Sequence, residues 1–153
     1  MSDWWTQLLQ NRVLLAAVTG WFTAQFLKVL LVLIMEKRFD AERIFGSGGM
    51  PSSHSATVCA LCAAGAGAYG LGSFQFAISF VFAFIVMYDA CHVRLETGKQ
   101  AVAIKELQDV IRKLGEHALS PADTLKELVG HTFPQVIVGA LLGIGIGVAA
   151  ILI

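Results

Sequence analysis

Residues 46–57 read Gly-Ser-Gly-Gly-Met-Pro-Ser-Ser-His-Ser-Ala-Thr, and they place His54 where a long apolar run begins. Glycines free a backbone to wrap an anion, and the successive N–H groups of a helix start attract phosphate. Gly49, Ser52 and Ser53 are therefore candidate phosphate contacts, and a histidine at that spot can donate a proton near neutral pH. Other chemistry-bearing residues also sit at the ends of apolar runs. Asp89, His92 and Arg94 close one run, His131 opens the last, and Arg43 precedes the glycine turn. Two histidines with arginine and lysine nearby suit phosphoryl transfer without a metal or other cofactor. One imidazole attacks phosphorus, and the other protonates the leaving alcohol. Cations and backbone N–H groups hold the non-bridging oxygens as charge shifts.

These residues need elements that bring them to one place, and the composition says which kind. In 153 residues, hydrophobic types make up 56% and charged types 14%, against about a quarter charged in soluble domains. With a mean hydropathy of +0.70, a single membrane-embedded domain over residues 1–153 is expected. The formal net charge is zero, so nothing points to a nucleic-acid partner. Met1-Ser-Asp-Trp-Trp lacks a basic leading region, so no cleaved signal segment is expected.

Four apolar runs are candidates to cross a bilayer, which takes about 20 helical residues. They are about Val13 to Met35, with Asn11 as a cap, Ser55 to Leu71, Phe74 to Tyr88 with its flank to Val93, and Phe133 to Ile153. Only Gly72 and Ser73 part the second run from the third, which predicts a tight hairpin. Between the third and fourth runs, Ile104, Leu107, Ile111, Leu114 and Ala118 recur at spacings of an amphipathic helix. Ser120-Pro121 caps a further short helix that Gly130 ends. The expected fold is thus all-α: a membrane bundle of about four spans with an amphipathic helical insert.

Four spans put both termini on one side. The other side then carries Lys37, Arg38, Arg43, Arg94, Lys99, Lys105, Arg112, Lys113 and Lys126, against Arg12 alone on the side of the termini. The positive-inside rule makes that basic side cytoplasmic, with Trp4 and Trp5 anchoring the outer interface. Lys28 lies inside the first span with Gln25 close by. It either snorkels to the interface or points inward at an anion.

The stretch Gly48-Gly-Met-Pro-Ser-Ser-His-Ser-Ala56 resembles the P-S-G-H motif of the type 2 phosphatidic acid phosphatase superfamily, which also contains vanadium haloperoxidases. The chain is more similar still to that superfamily's small divergent bacterial and plant branch. The matching pieces follow in order over most of the chain: Ala24-Gln-Phe-Leu-Lys28, the run just quoted, Met87-Tyr-Asp89, Val93-Arg94, Gly98-Lys-Gln-Ala101, Gly130-His-Thr132, Phe133-Pro-Gln135 and Gly139-Ala-Leu-Leu-Gly143. The resemblance implies His131 as nucleophile, His54 as the acid for the leaving group, and Arg94 and Lys28 on phosphate, with Arg43 as a possible partner of Lys28. Ser53 stands where the superfamily has glycine.

Two departures are plain. The superfamily's arginine lies a few residues before its nucleophilic histidine, whereas here an insert separates Arg94 from His131. The aspartate expected four residues after the nucleophile is Gln135, which can orient an imidazole but cannot balance its charge. Asp89 is the candidate to supply that charge from another helix.

The implied activity is hydrolysis of a lipid phosphate or isoprenoid diphosphate. A non-catalytic protein that binds or moves an anionic phospholipid is the alternative. The bilayer and a phosphorylated lipid are the expected partners. Other readings stay open at this stage: Asp89, His92 and Glu96 as a metal set at helical spacing, and Gly139, Gly143 and Gly147 as a packing stripe within the bundle or in a homodimer. Cys59 and Cys62 suit one turn of a lipid-buried helix better than a redox or zinc pair.

Overall fold

The computed structural model describes residues 3–36, 49–113 and 130–153. The described elements are helical: α1 (Trp4–Leu9), α2 (Arg12–Glu36), α3 (Ser53–Tyr69), α4 (Phe74–Tyr88), a π-helical turn (Asp89–Val93), α5 (Arg94–Lys113) and α6 (Phe133–Leu152). The short helix expected after Ser120, together with Leu114 and Ala118, lies outside the described residues.

Each boundary has a local cause. The Asn11 side chain accepts from Leu14 N–H at 3.0 Å and starts α2, as a capping asparagine should. Ser52 does the same for α3, accepting from Ser55 N–H at 3.3 Å, so this helix begins two residues before the expected run. Between α3 and α4, Ser73 donates to the Gly70 carbonyl at 2.7 Å and accepts from Phe76 N–H at 3.2 Å, which closes the hairpin.

Three helical stretches are long and apolar enough to cross a membrane: Arg12–Met35, Phe74–Ile111 and Phe133–Leu152. The fourth expected run, α3, has 17 residues, the lower limit for a crossing. Its composition follows from its position. α3 packs against α2, α4 and α6, and α2 also packs against α6. Ala56, Ala60 and Ala64 on α3 are fully buried. Large side chains such as Phe74, Phe80, Phe84 and Ile85 stay exposed on α4, as the lipid-facing side of a membrane-spanning helix requires. Cys59 is buried on α3, with its Sγ 3.7 Å from Met87 Sδ of α4.

Glycines let α6 lie directly on the α3 backbone. A methyl group on Gly139 would strike the Ser52 carbonyl oxygen, and one on Gly143 the Ala56 carbonyl oxygen. At Gly147 it would meet Ala60 O at 2.6 Å. Each contact pairs a later residue of α6 with a later residue of α3, so the two helices run parallel. The stripe is spent inside the bundle. On the other side of α3, a methyl on Gly20 of α2 would meet Ala56 O at 2.9 Å.

The amphipathic helix is not a separate insert. It continues α4 through the π turn, so Phe74–Ile111 forms 38 unbroken helical residues. At 1.5 Å per residue that is about 57 Å, roughly twice the hydrocarbon thickness of about 30 Å, so α5 extends beyond the apolar layer.

Gly143→Ala forces the α6 backbone off α3 and is expected to cost about 1–3 kcal/mol. Gly145 has open space where its methyl would go, so Gly145→Ala serves as the control. Thermal unfolding of the detergent-solubilised protein should show a lowered Tm for the first and little change for the second.

Candidate active site

Parallel packing puts the N-terminal ends of α3 and α6 side by side. His54 is in the first turn of α3 and His131 immediately precedes α6. Their ring centroids are 6.1 Å apart, with planes at 65°. Both helix starts carry partial positive charge, so an anion held near the two rings is favoured before any side chain is counted.

His131 is 1% exposed, and three contacts hold it. Its backbone N–H donates to the Ala90 carbonyl of the π turn at 2.9 Å. Gly130 before it takes φ +129°, and a methyl there would meet Leu95 N at 2.6 Å and the Arg94 carbonyl carbon at 2.8 Å. Only glycine fits both the dihedral and the space. The third contact is made by Gln135. Its Oε1 accepts from Thr132 N–H at 3.1 Å, which fixes the oxygen end of the amide because a backbone N–H can only donate. That same oxygen lies 3.3 Å from His131 Nδ1, so Nδ1 carries the proton and Nε2 keeps its lone pair. Nε2 is buried and has no hydrogen-bond partner among the described residues.

Burial holds the His131 pKa below the ordinary histidine value. The Gln135 hydrogen bond opposes this, the charges of Lys28 and His54 push further down, and the Gly49 backbone opposes them more weakly. His131 is thus a neutral imidazole near pH 7, as a nucleophile requires.

Lys28, on α2, is 1% exposed, so it points inward rather than snorkelling. Its charge acts on both histidines, as do those of Arg94 and Asp89 on His54. Gly49 adopts φ +82°, which turns the chain toward α3. Ser53 is buried in the first helical turn. There the N–H groups of Ser53 and His54 have no intrahelical acceptor.

Four residues are placed differently from expectation. Ser52 is fully buried as the cap: its N–H donates to Gln135 O at 3.1 Å and its Oγ accepts from the Ser55 hydroxyl at 3.0 Å. It ties the glycine turn to α6 instead of facing a ligand. Asp89 does not reach His131 with its carboxylate but accepts from Arg94 Nε at 2.7 Å. In an α-helix residues five apart point away from one another; the wider π turn brings them onto one face. His92 stacks on Tyr88, with centroids 4.7 Å apart, and Glu96 pairs with Lys99 at 2.7 Å. The metal set weighed at Asp89, His92 and Glu96 is therefore not assembled, and among the described residues no cluster of three such ligands occurs. Arg43 lies outside the described residues.

Sequence reasoning missed the π turn, the Ala90 carbonyl and the Gly130 contact. One signal was available: the five-residue spacing of Asp89 and Arg94, an acid–base pair that only a widened turn can join.

Residues 9–146 match the family described as the divergent PAP2 family. The chain is also 40% identical over 146 residues to an uncharacterized membrane protein, YuiD, of Bacillus subtilis (strain 168), covering 90% of this chain and 92% of that protein. No solved structure matches the chain.

Histidine NMR titration should find His131 below the ordinary histidine value, with Gln135→Glu raising it, because a carboxylate favours the imidazolium. The folded chain binds a proton at His131 less readily than the unfolded chain. The stability tied to this group is therefore present above the ordinary histidine value and is lost as pH falls through the range below it.

Proposed function

We propose that this chain, which belongs to the divergent PAP2 family, is a membrane phosphatase that hydrolyses a lipid phosphate or an isoprenoid diphosphate. The observation that carries this reading is His131: buried, with its Nδ1 proton held by Gln135, an Nε2 that has no hydrogen-bond partner among the described residues, and its ring 6.1 Å from that of His54.

In the first step the Nε2 lone pair attacks phosphorus. The bond to the leaving oxygen breaks, and that oxygen takes a proton from His54, which is the imidazolium once the bound phosphate's negative charge offsets Lys28 and Arg94. Arg94, Lys28 and the N–H groups of Ser53 and His54 hold the non-bridging oxygens as their charge redistributes. In the second step a water gives its proton to the now neutral His54 and attacks phosphorus. The N–P bond breaks, and phosphate leaves with His131 neutral again. Asp89 positions Arg94. Gln135 keeps Nδ1 protonated throughout but offers no negative charge to the phosphohistidine, so the first step leans on Lys28, Arg94 and the two helix ends.

We further propose that α3 crosses the membrane as a fourth span, which puts both termini on one face and the histidine site on the basic, cytoplasmic one. A cysteine placed by Ser47→Cys in a background lacking the native cysteines should react only with reagent that reaches the cytoplasm. Labelling from outside intact cells overturns the topology.

Phosphate release by the purified protein, screened across lipid phosphates and isoprenoid diphosphates, tests the activity. His131→Ala should abolish release, and His54→Ala should lower it by about 10²–10⁴. Chelator should have no effect. Release unchanged in both histidine variants sinks the mechanism. Phospholipid binding that needs Lys28 and Arg94 without turnover of any ester would instead favour the non-catalytic alternative, to which the neutral Gln135 lends its support.

A further inference from the structure

A cavity lies toward the end of the bundle away from His54 and His131. It has a volume of about 480 Å³, within the range of small-ligand pockets. It exists because α2 and α4 each pack on α3 rather than on one another, and α3 offers only Gly65 where a larger residue would fill the gap. A methyl on Gly65 would do no more than touch Ser79 Oγ at 3.6 Å.

The cavity's chemistry is graded along its length. Leu14, Leu61, Ile78 and Phe82 make apolar walls. The Ser79 hydroxyl within it is turned to the Phe76 carbonyl at 2.9 Å, so its polarity is already spent. Ile78 and Phe82 are about half exposed, at 53% and 51%, on a helix long and apolar enough to cross a membrane. The cavity therefore opens sideways into hydrocarbon. Hydrogen-bonding capacity gathers at one end: Tyr69, Gln75 and the amide N–H groups of Asn11, whose Oδ1 already caps α2; these stand where α2 begins, α3 ends and α4 begins. Every residue described along the wall is uncharged.

An apolar trough open to the bilayer, with uncharged donors and acceptors at its membrane-edge end, is complementary to an amphiphile lying along the helices. We propose that this cavity binds one tail of a lipid with an uncharged polar head, drawn from the leaflet farther from His54 and His131. The head meets Asn11, Tyr69 and Gln75, and the tail runs past Leu61 and Ile78. Leu61 and Gly65 lie roughly 10–16 Å along α3 from His54 at 1.5 Å per residue. The site is thus distinct from the histidine cluster and does not depend on what that cluster does.

The test uses the full chain in lipid nanodiscs with a monoacylglycerol carrying a diazirine in its acyl chain. Photolabelling followed by peptide mass spectrometry should mark α3 near Leu61 and α4 near Ile78, and unlabelled monoacylglycerol should compete. Gly65→Phe should abolish that labelling. Ile78→Trp, at an exposed position that does not threaten folding, should abolish it as well, with both variants checked by gel filtration and circular dichroism. Equal labelling of wild type and Ile78→Trp overturns the proposal. So does labelling confined to other helices, or a cross-link between two copies through these residues in place of lipid. A photoreactive phosphatidylglycerol that labels the cavity better than the neutral probe, and loses that advantage in Arg12→Gln, overturns the assignment of an uncharged head.

Discussion

The site depends on the close approach of two parallel helices. Side chains of ordinary size hold helix axes about 8–10 Å apart; the glycine stripe of α6 removes that spacer and sets backbone on backbone against Ser52, Ala56 and Ala60. Three contacts advance together by four residues on each helix, so the register is fixed as well as the distance. Register decides what meets at the helix starts. A slip of one turn would carry His131 away from His54 and break the bond between Ser52 N–H and Gln135 O. In a bilayer, where lipid tails compete equally for apolar surface, this tight van der Waals contact is a main source of association between helices.

The same geometry puts a neutral residue beside His131, the proposed nucleophile. A carboxylate there would stabilise the protonated form of His131 and reduce the share of neutral imidazole. Gln135 fixes the tautomer without that effect, because its oxygen is pinned by Thr132 N–H. Favourable charge for an anionic group comes instead from the two helix starts, Lys28 and Arg94. Asp89 partly offsets Arg94. That pair is about 40% exposed on each side, so solvent screens it and its worth lies in direction more than in stability.

Much of this was legible in residue order. Apolar length marked the long helices, Asn11 marked a helix start, Gly72 and Ser73 marked the hairpin, and the glycine turn with His54, Arg94 and His131 marked one end of the bundle. Other features were not, for physical reasons. Lys28 could snorkel or turn inward, and only packing decides, because the side chain reaches either way. Ser52 looked like a ligand residue because capping and phosphate binding ask for the same short hydroxyl at a helix start. The π turn left only the five-residue spacing of Asp89 and Arg94 as a mark, since the composition of Asp-Ala-Cys-His-Val suits an α-helix equally well. The join between the third apolar run and the amphipathic stretch was invisible for the same reason: polarity changes at Arg94 while the backbone continues.

The seat of Gly130 on the Arg94–Leu95 backbone fastens the approach to α6 onto the junction of the π turn and α5. The contact is made by backbone atoms, as is the bond from His131 N–H to the Ala90 carbonyl. Main chain alone therefore holds the start of α6 at the place where α5 begins. Side chains around that junction can change their chemistry without moving it.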